Sequence, residues 1–437
     1  MFGSHRSALY AANPVVAAET YYFAATVGDA GDSTSAIACD PDGNAYGIFE
    51  TLSATLIGNR DIYFYKRNSS GVFQWARRIG TSGQSWTAAN IGVTSYGYLQ
   101  VLVSNNNYAA YLYIIDGANG DILAVTTIKG NDQSNFIITG SNQSMVSNDS
   151  QMFVLGVAYT SGQAYNKHCI IALDPTAGTI DWARQITHDN SNTRIGGITC
   201  SASGASQWIL FGEGAYSYVA KYSSSGTIQW QRKITYTSLD GPKNIAVDST
   251  GAVYVSGDFS GGGGFFAKIA SDGNSVLFTK TISSSDVIGN GFTLNVDADN
   301  NVYISTRTVS SAATFIAKFN SSGTLQYRRT ITPASNTLIT TSSAINATSL
   351  FISGQHTFST VDHIMFELPL DGTKTGTYSL NGKNFTYAEN TTVTVATTPA
   401  ATIAASTLST SSTAGSATTF TSYTTNTTSL TNYLVTL

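Results

Sequence analysis

The sequence predicts an all-β protein: a seven-bladed β-propeller closed by its own N-terminal strand, with extended N- and C-terminal arms. Three observations predict it. A unit of about 48 residues recurs along the chain, each unit contains four short strand-like segments, and a lone strand-like segment precedes the first unit. A period of this length filled by four strands is typical of propeller blades, whereas solenoid repeats are shorter or helical.

The unit is clearest between Gly241 and Ile282. Alternating apolar residues form four segments there, and turns such as Ser249-Thr250-Gly251 and Ser271-Asp272-Gly273 separate them. The segments are 244–248, 253–257, 265–269 and 275–282. Short alternating runs bounded by Gly, Ser and Asp predict an up-and-down meander of antiparallel strands. No stretch combines a 3.6-residue apolar spacing with good helix formers, so we expect helices to be nearly absent.

The fourth strand of each unit follows a glycine turn and contains a marker residue, which is usually aromatic. The markers are Trp75, Ala124, Trp182, Trp230, Phe278 and Tyr327, at intervals of 49, 58, 48, 48 and 49 residues. The glycine supplies the positive φ of the hairpin, and we expect the ring to be buried between neighbouring blades. Basic pairs follow the markers, as in Arg77-Arg78, Arg232-Lys233 and Arg328-Arg329. We expect them to discourage strand addition at an exposed outer edge.

Residues 21–28 resemble a fourth strand without the first three, with Phe23 in the place of Trp75. Seven sets of the first three strands follow, beginning near residues 35, 89, 135, 195, 243, 292 and 340. We therefore expect residues 21–28 to pair with the last blade, built from about 335–370, and to lock the ring. The second and third units fit the pattern loosely, so six or eight blades stay open as alternatives.

The phrase Ala246-Val-Asp-Ser-Thr-Gly-Ala-Val-Tyr-Val-Ser-Gly257 resembles the SBBP-type β-propeller repeat. Residues 40–47 and 297–304 match the same phrase, and Phe266-Ala-Lys-Ile269 and Gly226-Thr-Ile-Gln-Trp230 match the other two segments of that repeat. The resemblance spans roughly residues 21–380 and implies a propeller. It implies no particular function, because propellers serve unrelated roles.

The composition argues against several classes of function. Only 11% of the 437 residues are charged, the net charge is −4 and the pI is about 5.7. A nucleic-acid-binding protein needs a basic face, and no cluster of Lys and Arg occurs. No apolar run reaches the roughly 18 residues of a membrane span, and the N-terminus lacks the apolar core of a secretion signal. We therefore expect no nucleic acid, no membrane insertion and no cleaved leader.

Few residues are candidates for chemistry. Cys39, Cys169 and Cys200 are far apart and lie in apolar segments, so we expect buried, inert thiols. The five histidines lack the spacing of metal ligands, although His356 and His363 flank one predicted loop. They are His5, His168, His188, His356 and His363.

Other motifs have structural interpretations. Asp40-Pro-Asp42-Gly-Asn44 and Asp297-Ala-Asp299-Asn-Asn301 resemble the first half of a calcium loop, but Thr51 and Thr308 stand where its Glu belongs, which favours simple turns. The run 261–264 predicts a flexible glycine loop rather than a phosphate site. A distant carboxylate pair for glycoside cleavage stays open. Four surface tyrosines could stack on sugars, with interblade packing favoured: Tyr96, Tyr98, Tyr216 and Tyr218.

The chain divides into an N-terminal arm (1–20), the propeller (21–380) and an uncharged Thr/Ser-rich extended segment (381–437). Residues 390–437 contain no Asp, Glu, Lys, Arg or His. This segment is either a flexible tail or a set of strands that docks on a neighbouring subunit, and a hairpin within 376–387 would start it. We favour docking, because an uncharged strand former is better covered than left free.

The opening Met1-Phe-Gly-Ser-His5 and the Thr-rich end resemble the termini of structural proteins of tailed phages. We therefore predict a non-enzymatic virion protein, a platform on tail or capsid within a symmetric assembly. Its predicted partners are other virion proteins, reached through both termini, and host surface glycans. No catalytic, cofactor-binding or metal-binding residue and no cofactor are predicted. The alternatives are a secreted bacterial propeller that binds carbohydrate or protein, and a propeller enzyme acting on polysaccharide.

Overall fold

The computed structural model describes most of the propeller and the strands at both ends. The described residues are 21–27, 33–51, 60–80, 83–105, 110–129, 135–137, 145–159, 167–187, 193–201, 203–213, 216–235, 239–259, 262–283, 292–308, 313–358, 361–397, 402–405, 410–412, 416–419, 424–427 and 431–436. They contain no helix and form seven antiparallel sheets. The N-terminal arm, His5 and His188 lie outside the described residues.

The chain enters with β1 (Tyr22–Val27) and then builds the blades in sequence. Blade 1 holds β2 (Ser33–Cys39), β3 (Ala45–Thr51), β4 (Asp61–Arg67) and β5 (Phe73–Gly80); blade 2 holds β6 (Trp86–Val93), β7 (Tyr98–Asn105), β8 (Ala110–Asp116) and β9 (Ile122–Lys129); blade 3 holds β10 (Asn135–Ile137), β11 (Met145–Ser147), β12 (Met152–Tyr159), β13 (Lys167–Leu173) and β14 (Ile180–Thr187). In blade 3, β10 and β11 pair with the two halves of β12, so together they take the place of one first strand.

The remaining blades follow the same order. Blade 4 holds β15 (Thr193–Cys200), β16 (Ser206–Glu213), β17 (Tyr216–Ser223) and β18 (Ile228–Thr235); blade 5 holds β19 (Leu239–Val247), β20 (Val253–Phe259), β21 (Gly264–Ile269) and β22 (Val276–Ser283); blade 6 holds β23 (Thr293–Val296), β24 (Val302–Arg307), β25 (Thr314–Phe319) and β26 (Leu325–Pro333); blade 7 holds β27 (Leu338–Ile345), β28 (Ser349–Thr357) and β29 (Val361–Pro369). The first strands of neighbouring blades contact one another, which places them at the centre of the ring. These sheets confirm the predicted seven-bladed β-propeller.

Seven hydrophobic cores hold the described blades together, one at each junction between neighbours. Successive side chains of a strand point to opposite faces of its sheet, so each strand supplies two cores. In β1, for example, Tyr22 and Ala24 enter the core shared with blade 1, whereas Phe23 enters the core shared with blade 6. No blade can bury both of its apolar faces alone, and the ring is therefore the unit of stability.

The N-terminal strand closes the ring as predicted. β1 is the fourth strand of blade 7, and it pairs with β29 in the register Tyr22↔Glu367 to Thr26↔His363. Phe23 is fully buried, and its ring centroid lies 4.7 Å from that of Phe366. This aromatic contact fixes which face of β1 points to which core.

The C-terminal segment forms a second closure, which we call the belt. It comprises β31 (Lys383–Glu389), β32 (Thr394–Thr397), β33 (Thr402–Ala405), β34 (Thr410–Ser412), β35 (Ser416–Thr419), β36 (Thr424–Thr427) and β37 (Thr431–Thr436), and β30 (Gly376–Leu380) forms a hairpin with β31. The belt strands pair in turn with the outer strands β26, β22, β18, β14, β9, β5 and β1. The belt therefore runs once around the ring, in the direction opposite to the blades, and ends beside its own starting hairpin, where β37 contacts β30.

The belt corrects the expectation that this segment docks on a neighbouring subunit. Its strands do add to sheet edges, but the edges belong to the same chain. Belt strands begin at residues 394, 402, 410, 416, 424 and 431, so about eight residues lead from one blade to the next. Edges tethered this closely have a high effective concentration, which favours pairing within the chain.

Candidate functional site between blades 3 and 4

One end of the ring carries the turns that join first to second strands and third to fourth strands. We call this end the hairpin face. Its turns are almost completely described, whereas many connections at the opposite end lie outside the described residues.

At the hairpin face, the marker aromatics join neighbouring blades. The indole nitrogen of Trp230 donates to the carbonyl of Ser271, in the third turn of the next blade, at 3.2 Å. Gly273 closes that turn with φ +71°, and a Cβ there would lie 2.8 Å from the Trp230 ring. Glycine is thus required at this position for two reasons: the turn needs a positive φ, and the Trp230 ring leaves no room for a side chain. This contact confirms the predicted interblade role of the aromatic residue.

The basic residue two positions after the marker extends this junction. Arg232 donates from Nε to the Gly273 carbonyl at 2.7 Å and from Nη2 to the Asn274 side chain at 2.7 Å. Its Nη1 donates to the carbonyl of Gln231 at 2.9 Å. Three more arginines bind a carbonyl of the next blade and the carbonyl of their own preceding residue: Arg77, Arg184 and Arg329. We call the aromatic, its arginine and the facing glycine turn a latch.

The latch changes the interpretation of the basic pairs. The outer edges were expected to be exposed and protected by charge, but belt strands pair with them from the latch position onward, as in Arg232↔Ala405. The guanidinium of Arg232 donates to the carbonyl of the preceding residue, Gln231, at the point where pairing with the belt ends. An edge carbonyl bound in this way is less available to a foreign strand.

A pocket of about 670 Å³ opens on the hairpin face between blades 3 and 4. Four loops or strand starts contribute to it, two from each blade. The lining residues are Ser150, Gln151, Trp182, Ser203, Gly204, Ala205, Ser224 and Ser225. Its volume lies within the usual range of small-molecule pockets, about 300–1,000 Å³.

The pocket wall is held by the latch of blade 3. The Trp182 indole donates to the Ser224 carbonyl at 2.7 Å, and Arg184 donates to the carbonyls of Gly226 at 2.8 Å and Ser225 at 3.1 Å. The Ser224 amide donates to the Ala205 carbonyl at 3.2 Å, which ties the two turns of blade 4 together. The lining is therefore set before a ligand arrives, which lowers the entropy lost on binding.

The predicted calcium-like loops are turns in the structure. Asp40 accepts hydrogen bonds from the backbone and side chain of Asn44, at 2.8 and 2.7 Å, and from the Tyr46 hydroxyl at 3.0 Å. Burial and the nearby Asp40 raise the pKa of Tyr46, so its hydroxyl keeps the proton that it donates. Asp297 is bound in the same way by Asn301 and Tyr303. The carboxylates thus organise the first turn of their blades.

The described histidines are buried in the interblade cores. His356 lies 4.9 Å from the ring of Phe385, on the blade 6 side, and His363 lies 5.1 Å from Phe49, on the blade 1 side. The two flank one connection, as the sequence indicated, but they enter different cores. Burial, with Arg67 adding to it, lowers the pKa of His363 to about 3, so this ring is neutral at pH 7.

His168 is also buried, and its Nε2 lies 3.1 Å from the carbonyl of Arg194 in the next blade. Among the described residues, no three His, Cys, Asp or Glu side chains come close enough to hold a metal ion. The thiols of Cys39, Cys169 and Cys200 form no disulfide. Burial raises the pKa of Cys200 to about 11 and also raises that of Cys39, so these two sulfurs stay protonated and unreactive.

The four candidate tyrosines do not form one surface. Tyr96 is 71% exposed at the first turn of blade 2, whereas Tyr216 begins the third strand of blade 4 at the opposite end of the ring. Tyr218 is buried and Tyr98 is half-buried. The predicted glycine loop is a turn at Gly262 and Gly263, in the part of it that the structure describes. The pocket itself was not predicted, because it joins residues of two units about 50 positions apart.

No family model and no curated protein matches this chain. Solved structures are similar in fold. A chain in "Crystal Structure of Mitotic Checkpoint Complex" is 14% identical with a TM-score of 0.52, covering 84% of this chain and 98% of that one. "Structure of Dos1 propeller" is 11% identical with a TM-score of 0.45, covering 78% and 94%.

A chain in "Kuenenia stuttgartiensis Hydrazine Synthase" is 10% identical with a TM-score of 0.46, covering 73% and 92%. Likeness at such identity concerns the fold alone. Within the described residues, no helix is long and apolar enough to cross a membrane. The sheet topology leads to one conclusion: the chain is a seven-bladed β-propeller.

Proposed function

We propose that this protein is a non-enzymatic structural protein of a tailed-phage virion, a rigid propeller platform on tail or capsid whose hairpin face contacts host surface glycans. The observation that carries the structural role is the double closure of the ring. The last belt strand, β37, pairs with the first strand, β1, from Tyr22↔Thr436 to Val27↔Thr431. Both ends of the fold are thereby fixed in one blade.

Double closure suits a particle exposed to the environment. Unpaired sheet edges invite aggregation, and here every outer strand carries a belt strand of three to six paired residues. A ring in which no blade can leave alone should unfold slowly, and slow unfolding protects a protein better than equilibrium stability when unfolding is irreversible. This fits a platform that persists in the environment.

The non-enzymatic role is supported by the structural use of the titratable groups. Asp40 and Asp297 are bound within their turns, and His356 and His363 are packed against aromatic rings. The assignment to a phage rests on the resemblance of both termini to those of phage structural proteins. Because the belt strands pair within the chain, we assign contacts with other virion proteins to residues 1–20 and to the blade surfaces.

Mass spectrometry of density-purified particles tests the virion role. We expect this chain at a copy number that matches a symmetric assembly, and absence from intact particles would contradict the proposal. Limited proteolysis tests the belt and not the virion role. Because they pair in cis, the strands β32 to β37 should resist cleavage in the free protein as well as in the particle.

A secreted bacterial propeller that binds carbohydrate or protein is the second candidate. The uncharged pocket on the hairpin face favours it, because a lining of serine, glutamine and tryptophan suits a sugar. It predicts a chain recovered from culture medium without particles, which the same fractionation detects.

A further inference from the structure

We infer that the pocket between blades 3 and 4 is a binding site for a short neutral oligosaccharide. This inference names a ligand class for the proposed function. It rests on that function only for the source of the glycan, which is the host surface.

Two hydroxyls of the lining have no partner among the described residues. The backbone amide of Ser150 donates to Asn148, and the backbone of Ser224 is bound to Ala205 and Trp182, but no hydrogen bond of either side-chain hydroxyl is found there. Each hydroxyl can donate one hydrogen bond and accept others. The amide nitrogen of Gln151 donates to Asp181 at 3.1 Å, which leaves its carbonyl oxygen for a ligand.

The remaining polar groups are held by the protein itself. Ser225 shares a hydrogen bond of 2.9 Å with Ser223, and Ser203 shares one of 3.3 Å with Ser201. These bonds orient the hydroxyls without exhausting their capacity, because each oxygen has further lone pairs. The pocket thus offers both donors and acceptors.

The charge of the lining selects the class of ligand. None of the described lining residues carries a charge. Anionic ligands are usually recognised by Arg or Lys forks, and here the nearest arginine, Arg184, is committed to Gly226, Ser225 and Ala183. A lipid or other apolar ligand would leave the serine hydroxyls without partners, which is unfavourable. An uncharged molecule with many hydroxyls satisfies the lining best.

The indole of Trp182 adds an apolar surface to this polar wall. Carbohydrates present hydroxyls at their edges and C–H groups on their faces, so a site with serine, glutamine and tryptophan complements both. First turns are also bridged to their neighbours elsewhere: Ser95 donates to Asp149 between blades 2 and 3, and Ser249 donates to Asn300 between blades 5 and 6. Between blades 3 and 4 the bridge is Asn148, whose side chain donates to the sulfur of Cys200 at 3.7 Å, and the pocket opens beside it.

A matched pair of variants tests the inference. Ser224→Tyr places a large side chain in the pocket, and Ser321→Tyr makes the same change at the corresponding exposed position of blade 6. Purified full-length protein would be titrated by calorimetry and tryptophan fluorescence with maltotriose, cellotriose, chitotriose and mannotriose. Sialyllactose and a sulfated trisaccharide serve as anionic counterparts. Thermal unfolding confirms that both variants fold.

We expect at least one neutral trisaccharide to bind saturably, with affinity reduced about tenfold or more by Ser224→Tyr and unchanged by Ser321→Tyr. The inference is overturned if no neutral trisaccharide binds, if only the anionic ones bind, or if both variants behave alike. Particle purification decides the virion role separately. If the protein binds a neutral sugar but is absent from particles, the binding site stands and the virion role is refuted. If the protein is present in particles but binds no neutral sugar, the virion role stands and the binding site is refuted.

Discussion

The blades and the belt are both built from short antiparallel strands, yet different forces hold them. A blade strand buries large side chains on both faces, as Phe64 and Tyr65 show in β4, where each enters a different interblade core. The belt after Val393 is uncharged and consists mostly of Thr, Ser and Ala, and its described pairing runs through the backbone. Side-chain packing therefore determines the ring, whereas backbone pairing completes its edges. Backbone pairing needs little sequence information, so the belt register is the more weakly specified of the two.

The two parts meet at one aromatic cluster. Phe23 of β1 contacts Phe366 of blade 7 and also Tyr378 and Phe385 of the hairpin that starts the belt, with centroid distances of 4.7, 5.2 and 6.3 Å. The belt is thus anchored by side chains at its start and by backbone pairing along the rest. This difference leads to five predictions.

Removal of residues 394–437 should have the largest effect. It deletes six belt strands and leaves the seven blade cores, so the ring should still fold. If each strand contributes about 1 kcal/mol net, stability falls on the order of 6 kcal/mol, and unfolding accelerates. Denaturant unfolding kinetics and light scattering measure both effects. An unfolded product would show that the belt is part of the core, and unchanged kinetics would show that it adds nothing.

Phe23→Ala should destabilise the full-length protein by about 3–5 kcal/mol, because it leaves a cavity in the cluster shared by both closures. Tyr96→Ala, at a residue that is 71% exposed, is the control and should change stability by less than about 0.5 kcal/mol. Equilibrium denaturation provides both values. If the two substitutions lowered stability equally, the aromatic cluster around Phe23 would not anchor the belt.

Acid should weaken the blades and not the belt. Burial lowers the pKa of His363 to about 3, below the ordinary value of 6.5, and lowers the pKa of His356 as well. A base whose folded pKa is lowered resists protonation in the fold, so its stabilising effect is present above pH 6.5 and is lost as pH falls toward 3. We expect His363 to account for about 3 kcal/mol between pH 6.5 and pH 4.

His363→Phe should flatten this pH dependence while keeping an aromatic ring beside Phe49 and Tyr65. The chain truncated after residue 393 should retain it, because residues 390–437 contain no Asp, Glu, Lys, Arg or His. The free energy of unfolding of both variants, measured from pH 4 to pH 7, tests these two expectations. An unchanged slope in His363→Phe would assign the acid sensitivity to other groups.

Arg232→Lys tests a single latch. Lysine cannot make the three bonds to Gly273, Asn274 and Gln231 at once, so we expect a loss of about 1–2 kcal/mol after allowing for partial exposure. Lys280→Arg is the reverse change at blade 5, where lysine stands at the latch position and donates to Thr397 at 2.7 Å. A loss at Arg232 with no gain at Lys280 would mean that the belt, rather than the latch, stabilises the blade 5 edge.

A proline in one belt strand should have the smallest effect. Thr418→Pro interrupts the pairing of β35 with β9, where Thr418 faces Thr127, and should lower stability by about 1 kcal/mol. Hydrogen exchange should increase in 126–129 and stay unchanged in 77–80, which pair with β36. A loss of protection around the whole belt would show that its strands pair cooperatively instead of one by one.

Much of the architecture was predictable because it repeats. The first strands begin at residues 33, 86, 135, 193, 239, 293 and 338, within a few positions of the predicted starts, and β1 pairs with blade 7 as expected. The belt also repeats, with strands that begin at Thr394, Thr402, Thr410, Ser416, Thr424 and Thr431. This shorter period is not predictable from the sequence, since a run of Thr, Ser and Ala has no alternation of polar and apolar residues to reveal it.

The sequence by itself determined the blade and the N-terminal closure and favoured seven blades over six or eight, because alternating large apolar residues in equivalent positions can be buried only between copies of the same sheet. Only the tertiary structure decided which edges the uncharged segment covers, that four arginines link neighbouring blades, and that Ser150 and Ser224 line one pocket. These features depend on backbone groups and on residues far apart in the chain. Their arrangement exists only after the ring has closed.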